Sequence, residues 1–248
     1  MLPADSQARQ ERDARLASQV AAHKELIRNL AHEIRNPLGG LRGAAQLLHM
    51  ELPDAALHTY TQVIIKEADR LQALVDRMLA PHQTAQQLAP TNIHTICEHV
   101  RTVVLAEFPQ GLTIARDYDV SIPDMQADQD RVTQAVLNIV RNAAQALRPF
   151  TPESKAKITL RTRVARQLTI GRKRIRLALE LQVIDNGPGI APDMLEQVFY
   201  PLVTGKADGT GLGLTLAQTY IQQHHGMIVC DSVPGRTVFT VLLPLQTA

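Results

Sequence analysis

The segment NLAHEIRNPLGG contains a histidine and a glutamate side by side, His32 and Glu33, shortly before an Asn-Pro pair. Apolar residues recur at every third or fourth position over 26–48, which predicts one amphipathic helix. Because each helical residue advances by about 100°, His32 lies on the face opposite the apolar stripe, with Asn36 over the same patch. Pro37 has no N–H and is expected to bend the helix. These features make a candidate nucleophile site, and a solvated surface histidine is the alternative.

Two asparagines lie four residues apart in a second predicted helix, QAVLNIVRNAAQAL. Asn138 and Asn142 therefore share its polar face, although asparagine is a mediocre helix former. Their amide oxygens suit Mg²⁺, which is usually held by few protein oxygens together with phosphates and water. An ordinary polar helix face is the alternative.

A third segment, LQVIDNGPGI, places Asp185 at the end of an apolar strand. A carboxylate there can accept a hydrogen bond from the exocyclic amine of adenine. Gly187 and Gly189 would let a base lie against the backbone. A plain strand-to-helix turn is the alternative.

A fourth segment, GKADGTGLGLTLAQ, has Gly209, Gly211 and Gly213 before or at the start of a predicted helix. Bare backbone N–H groups at the positive end of a helix suit phosphate, and Lys206 stands just before them. The G-x-G-x-G spacing lacks the preceding strand of a dinucleotide site and the Gly-Lys-Ser/Thr of a P-loop.

The histidine belongs to the first of two predicted long helices, which are separated by ELPDAAL with Asp54 as the expected N-cap. Such a pair predicts an antiparallel hairpin. One hairpin cannot cover its own apolar stripe, so we expect a homodimer in which two hairpins form a four-helix bundle. The predicted segments are a helical connector (1–22), the hairpin (23–80), a linker (81–90) and an α/β domain (91–248).

The α/β domain is predicted from alternating strand patterns between capped helices. Strands are expected in GLTIARDYDV, KITLRTRVARQL, RIRLALELQVID, MIVCDSV and TVFTVLLPL, with a hairpin around Gly171. The helix in TGLGLTLAQTYIQQHHG is expected to close with Gly226 at its C′ position. These elements predict an α/β sandwich with a sheet on one side and helices on the other.

Composition narrows the class of protein. The chain has 248 residues, 45% of them apolar and 3% aromatic, with a net charge of +2. That balance argues against a nucleic-acid or membrane surface. Cys97 and Cys230 are far apart and have no metal-like spacing, so they are expected to be reduced thiols in a cytoplasmic protein. No membrane span or signal peptide is predicted.

The order of the four motifs resembles the H, N, G1 and G2 boxes of sensor histidine kinases of two-component systems. Phe199 stands where that family has its F box, and the resemblance runs from residue 23 to 245. The segments NLAHEIRNPLGGLRGAAQLL, LNIVRNAAQAL, RTRVARQLTI and FYPLVTGKADGTGLGL are most similar to the NtrB family of nitrogen-regulation kinases. The resemblance implies a dimerisation and phosphoacceptor hairpin followed by a Bergerat-type ATP-binding domain. It also implies an upstream PAS sensor domain that this chain lacks.

The resemblance further implies ATP and Mg²⁺ as ligands, with autophosphorylation of His32. The phosphoryl group would pass to a response-regulator receiver, NtrC in this family, and the PII protein is a further expected partner. Glu33 would fix the His32 tautomer, and Asn36 would serve a phosphatase activity toward the regulator. Gly39, Gly40 and the Pro37 bend would let the catalytic domain dock. The implied nucleotide-binding residues are Asn138, Asn142, Asp185, Gly187, Gly189, Lys206, Gly209, Gly211, Gly213 and Thr237, with Asn142 and Asn138 on the metal.

Two positions depart from the family pattern: Gln145 stands where many members have Lys or His, three residues after Asn142, and Met227 stands where a polar or basic residue is expected. Two other functions stay open. A hydrolytic Bergerat ATPase would need a glutamate base where this chain has Asn138, which favours transfer to His32 instead. A non-catalytic dimeric scaffold is disfavoured by the intact His32, Asn142 and Asp185.

Overall fold

The computed structural model describes residues 33–79, 86–148, 156–171, 173–201, 203–205 and 211–245, apart from the side chains of residues 55 and 73–79. The predictions for the connector, His32, Lys206 and Gly209 lie outside these residues. The chain divides into two compact units, with the boundary at residue 85. Within the described ranges, no helix combines the length and apolar character that a membrane crossing requires.

The first unit is a pair of helices. Helix α1 is described over 33–51 and stays helical through Pro37, and α2 covers Ala55–Leu79. The carboxylate of Asp54 accepts a hydrogen bond from the N–H of Ala56 at 2.9 Å, as expected for a cap at the start of α2. The Arg42 guanidinium of α1 pairs with the Asp69 carboxylate of α2 at 2.7 Å.

The predicted apolar stripe of this hairpin is largely uncovered. Leu38, Ala45 and Ala68 are buried, but other stripe residues are between 40% and 68% exposed. These exposed members are Ile34, Leu41 and Leu48 of α1 and Leu57, Tyr60, Ile64 and Leu71 of α2. The stripe therefore needs a further apolar surface to cover it, as the four-helix-bundle prediction requires.

The second unit is the predicted α/β sandwich. Its sheet has five strands: β2 (Leu112–Asp117), β4 (Ala156–Ile170), β5 (Lys173–Asp185), β6 (Met227–Val233) and β7 (Arg236–Pro244). Their order across the sheet is β2-β4-β5-β7-β6, in which β2 and β4 are parallel and the other neighbours antiparallel. The helices are α3 (Ile93–Glu107), α4 (Gln129–Ala146), α5 (Pro192–Leu195) and α6 (Gly213–Gln223). Buried residues of α3, α4 and α6 form one core cluster with those of the sheet.

The local signals explain these elements. Asp128 caps α4 by accepting a hydrogen bond from the N–H of Arg131, and the apolar face of α4, which includes Val132, Val136 and Ile139, is fully buried. Gly171 has a φ of +58° in the turn between β4 and β5, where Ile170 pairs with Lys173. The β4–β5 hairpin is therefore confirmed.

The C-terminal end of α6 differs from the prediction. His225, not Gly226, occupies the left-handed position, with a φ of +58°. The N–H groups of His225 and Gly226 donate to the carbonyls of Gln222 and Ile221, both at 2.9 Å, which makes a Schellman motif with Gly226 at C″. Glycine is required at 226 for another reason, because a Cβ there would lie 2.4 Å from the carbonyl oxygen of Leu242.

Three elements were not predicted: α3 and the short strands β1 (Ala89–Thr91) and β3 (Met125–Ala127). The two strands pair antiparallel with each other. Ala89 and Pro90, which were assigned to the linker, therefore belong to β1.

Candidate active site

The centre of the candidate site is the end of β5. Asp185 is 4% exposed and lies opposite Thr237 of β7, which is also 4% exposed. The Asp185 carboxylate accepts a hydrogen bond from the N–H of Gly187 at 2.9 Å. A Cβ at Gly187 would lie 2.7 Å from that carboxylate, so a larger residue at this position would collide with it.

The glycine loop (186–190) is held against the turn between β6 and β7. Gly189 has a φ of +88°, and a Cβ there would lie 3.0 Å from backbone atoms of Val233 and Pro234. The N–H of Gly235 donates to the carbonyl of Gly187 at 2.9 Å. The loop is thus fixed by backbone contacts with the β6–β7 turn, and both glycines are required by close approach.

Ser232 contributes to this site and was missed from the sequence. Its hydroxyl accepts a hydrogen bond from the N–H of Ile190 at 2.9 Å and bonds the Thr237 hydroxyl at 2.9 Å. Ser232 and Thr237 pair in register across the β6–β7 hairpin. The Pro234-Gly235 turn was the available sequence signal, because a two-residue connection places these two positions opposite each other.

Helix α4 brings the first predicted asparagine to the start of α6. A Cβ at Gly213 would lie 3.9 Å from Cβ and Cγ of Asn138. The Oδ1 of Asn138 accepts a hydrogen bond from Gln134 at 3.2 Å, whereas its Nδ2 is buried and has no hydrogen-bond partner among the described residues. A buried amide donor without a partner is costly, which indicates that an acceptor binds here. Asn142 is half-buried one turn later on α4.

Arg141 lies between the two asparagines in sequence but serves a different contact. Its guanidinium binds the Glu107 carboxylate of α3 with two hydrogen bonds, one of them at 2.8 Å. The Arg141 hydrogen bond lowers the pKa of Glu107 below its ordinary value and raises that of Arg141. Arg141 therefore links α3 to α4, and we do not assign it to ligand binding beside Asn138 and Asn142.

The N-terminus of α6 is formed by the second glycine segment. Gly211 has a φ of +64°, Leu212 is buried, and α6 begins at Gly213 without a side-chain cap. Helix N-termini carry backbone N–H groups that have no partner within the helix. As expected, Gly211 precedes the helix and Gly213 is its first residue.

Phe199 connects the segment before α6 to the core. Its ring packs edge-to-face on Phe239 of β7 at 6.2 Å, and its carbonyl accepts a hydrogen bond from the Thr215 hydroxyl of α6 at 3.0 Å.

Of the two departures from the family pattern, Gln145 is exposed and Met227 is half-buried at the start of β6.

The two described residues of the histidine motif are both exposed on α1. Glu33 and Asn36 are solvent-facing, and a Cβ at Gly39 or Gly40 would meet nothing within 4 Å. That surface has room for another molecule or domain to approach it.

The cysteines offer no alternative chemistry. Cys97 and Cys230 are free thiols, and burial raises the pKa of each to about 12. A thiolate nucleophile is therefore not available near neutral pH.

Among the described residues, no group of three or more His, Cys, Asp and Glu side chains could hold a metal ion.

Comparison with known proteins finds the same two units. Residues 127–247 match the family of histidine kinase-, DNA gyrase B-, and HSP90-like ATPases, and residues 22–84 match the His Kinase A (phospho-acceptor) domain family. The sensory histidine kinase/phosphatase NtrB of Salmonella typhimurium is 49% identical over 246 residues, which are 99% of this chain and 69% of that protein.

Two solved structures show the same fold. Full-length ShkA in complex with AMPPNP has a TM-score of 0.61 and 26% identity, over 90% of this chain and 46% of that one. The histidine kinase ThkA in complex with the response regulator protein TrrA has a TM-score of 0.57 and 22% identity, over 98% of this chain and 65% of that one.

Proposed function

Because the chain belongs to the NtrB family of sensory histidine kinase/phosphatases, we propose that it transfers the γ-phosphoryl group of ATP to its own His32. The phosphoryl group then passes to an aspartate of a response-regulator receiver domain, NtrC in nitrogen regulation. The PII protein is the proposed regulator. The observation that carries the ATP part is the buried Asp185 carboxylate, which accepts a hydrogen bond from the N–H of Gly187.

Adenine is the part of ATP that fits the end of β5. The Asp185 carboxylate accepts the exocyclic amine of the base, and Thr237 adds a hydroxyl at the same position of the sheet. The glycine loop, fixed by its contacts with the β6–β7 turn, is the proposed wall on which the base lies.

The phosphates fit the space between α4 and the start of α6. The buried Nδ2 of Asn138 is a hydrogen-bond donor beside Gly213, and the N–H groups at the start of α6 are donors too. Lys206, which precedes Gly211 in the sequence and lies outside the described residues, is the proposed positive charge for these phosphates.

Asn142 and Asn138 are the proposed Mg²⁺ ligands, and an amide-lined helix face with phosphates nearby suits this ion. Asn142 is the principal ligand in this proposal and Asn138 assists, while the Oδ1 of Asn138 also accepts a hydrogen bond from Gln134. The ion would supply neutralisation of phosphate charge.

In the transfer step, Nε2 of His32 forms a bond to the γ-phosphorus while the bond from phosphorus to the bridging oxygen breaks and ADP leaves. The attacking nitrogen uses its own lone pair, so no base is needed when the imidazole is neutral. Glu33 accepts a hydrogen bond from Nδ1–H and stabilises the positive charge that develops on the ring.

The test is incubation of the chain with ATP labelled in the γ-phosphate. The expected product is a protein label that is acid-labile and base-stable, as a phosphohistidine is. His32→Gln should abolish the label, whereas His99→Gln, a change at an exposed histidine of α3, should not. ADP production without protein label would instead identify a hydrolytic ATPase, and a label that survives His32→Gln would contradict the assignment.

A second activity, dephosphorylation of the regulator, is proposed on Asn36. Its amide is exposed on α1, where a docked receiver can reach it, and can orient a water molecule for in-line attack. Asn36→Ala should preserve autophosphorylation and transfer while receiver dephosphorylation falls sharply. Gln46→Ala, at another exposed amide of α1, is the matched control. A parallel loss of both activities would mean that Asn36 is structural.

A further inference from the structure

The far end of α6 carries a buried polar network that neither the family assignment nor the proposed chemistry uses. Asp128, Arg131 and His224 are each at most 9% exposed, and all three lie where the C-terminus of α6 meets the N-terminus of α4. We propose that His224 is a positioning residue, which sets the phosphate end of the nucleotide site by fixing α6 along α4. This proposal rests on the proposed ATP-binding function.

The hydrogen bonds of His224 define one protonation state. Its Nε2 accepts a hydrogen bond from the backbone N–H of Asp128 at 2.9 Å, so this nitrogen carries no proton. Its Nδ1 lies 2.7 Å from the carbonyl oxygen of Tyr220 and must therefore be the N–H donor. The neutral Nδ1–H tautomer is the form that satisfies both partners, and it bridges α6 directly to the cap residue of α4.

A second connection runs beside the first. The Asp128 carboxylate caps α4 and pairs with the Arg131 guanidinium at 3.2 Å. Arg131 in turn donates to the side-chain oxygen of Gln223 at 2.5 Å. The last residue of α6 and the residue after it are thus both bonded to the first turn of α4.

These contacts fix the register of the two helices at the site. Asn138 lies ten residues after Asp128, and Gly213 lies ten residues before Gln223, so each helix spans about 15 Å between the network and the site. A slip of α6 by one residue would move Gly213 by about 1.5 Å relative to Asn138. Misplacement of a reacting group by about 1 Å can cost about a hundredfold in rate.

Two substitutions of His224 test the proposal, because one removes its hydrogen-bond acceptor and the other replaces it. His224→Ala removes the acceptor for the Asp128 N–H, whereas His224→Gln places an amide oxygen near the position of Nε2. We expect His224→Ala to lower the kcat of autophosphorylation at saturating ATP at least tenfold. We expect His224→Gln to recover kcat to within about threefold of the unmodified chain.

A stability control separates positioning from simple loss of folding. Val104→Ala removes buried volume from α3, on an element that holds no nucleotide-site residue, and should lower the melting temperature without lowering kcat. If Val104→Ala and His224→Ala lower kcat equally at equal loss of melting temperature, or if His224→Ala leaves kcat unchanged, the proposal is wrong. Gln223→Ala leaves His224 in place and should lower kcat by a smaller factor. It replaces His224→Ala in the test if that variant does not fold.

Two further readouts do not depend on catalysis. The ¹⁵N shifts of the His224 ring should report the neutral Nδ1–H tautomer, and any other tautomer would overturn the proposal. Calorimetry with AMPPNP should show weaker binding to His224→Ala and recovery in His224→Gln. If the unmodified chain binds no AMPPNP, the proposed function itself fails, which distinguishes that outcome from failure at His224.

Discussion

Asp185 is a buried carboxylate at the end of β5. Its carboxylate is held by the N–H of Gly187, and its backbone pairs with Thr237. Asp185→Asn keeps an oxygen for the Gly187 N–H but replaces a charged acceptor for adenine with a neutral amide. Since charge-assisted hydrogen bonds contribute about 1.5–3 kcal/mol, we expect ATP binding to weaken roughly tenfold to a hundredfold, measured by calorimetry.

The control for this prediction is Asp231→Asn, at an exposed carboxylate of β6. It removes the same charge from the same sheet but lies outside the proposed adenine site at Asp185, so ATP affinity should stay unchanged. Equal losses of melting temperature without nucleotide, with unchanged affinity, would identify Asp185 as a turn residue only.

The Cys97 thiol makes stability depend on alkaline pH. Burial raises its folded pKa from 9.0 to about 12, so the unfolded chain loses this proton first as the pH rises. The contribution is therefore complete below pH 9 and is lost above it, by about 1.4 kcal/mol per pH unit for one thiol.

Urea unfolding at pH 8 and pH 10 measures this effect. Cys97→Ala should be less stable at both pH values, because it leaves a small cavity, but its stability should fall less between them. Because the loss begins near pH 9, the expected difference between the two proteins over this interval is about 1.4 kcal/mol in total. Parallel pH dependence in the two proteins would show that the Cys97 thiol titrates normally.

At the scale of elements, the junction between α6 and β6 leaves no space for a side chain. A Cβ at Gly226 would lie 2.4 Å from the Leu242 carbonyl oxygen and 2.8 Å from side-chain atoms of Ile221 and Leu243. Backbone of a central strand cannot shift cheaply, so Gly226→Ala should destabilise the second unit by about 3 kcal/mol, measured by chemical unfolding.

Gly213→Ala is the matched control at the other end of the same helix. The nearest atoms to its Cβ would be at 3.9 Å, an ordinary van der Waals distance. We expect its stability to change by less than about 0.5 kcal/mol, as for surface substitutions elsewhere. Similar effects of the two changes would mean that the packing around Gly226 relaxes freely.

The elements with strong local signals were predictable from sequence. The β4–β5 hairpin and the capped helix α4 follow from periodicity, turn glycine and the Asp128 cap. Helix α3 was missed although its buried residues, such as Ile96, Val100 and Val104, recur with helical spacing. Strands β1 and β3 have three residues each and β1 contains Pro90, so periodicity could not identify them.

Some residues of the candidate site were likewise predictable from the sequence, and others were not. Asp185, Asn138 and the glycines stand in short motifs whose chemistry is readable along the chain. Ser232 reaches the glycine loop only because β6 pairs with β7, and His224 meets Asp128 across a long separation in sequence. Contacts of this kind depend on tertiary packing, which a single sequence does not encode locally. The left-handed His225 was missed because glycine usually takes that position.

At the scale of the whole molecule, the uncovered hairpin stripe predicts the oligomeric state. Leu41 is 58% exposed in the single chain and lies in the stripe. A dimer that buries a leucine from each copy gains about 1.5–3 kcal/mol per side chain. Leu41→Glu should therefore weaken the dimer at least a hundredfold, measured by sedimentation equilibrium.

Leu47 provides a matched control on the same helix. It is also 58% exposed but lies about 120° around the helix from Leu41, outside the stripe. Leu47→Glu should leave the dimer intact. Dissociation by both variants would mean that the dimer interface is not the stripe, and a stable Leu41→Glu dimer would place the contact elsewhere.

The parallel pairing of β2 with β4 sets an order of folding events. The hairpins β4–β5 and β6–β7 join neighbours in sequence, and such hairpins form within about 1–10 μs. The strand β2 can join β4 only after α4, which lies between them in the chain, has crossed the sheet. In pulse-labelling with deuterium, the amides of β2 should gain protection later than those of β5, because loop closure must precede their hydrogen bonds. In native exchange, this edge strand should also open first.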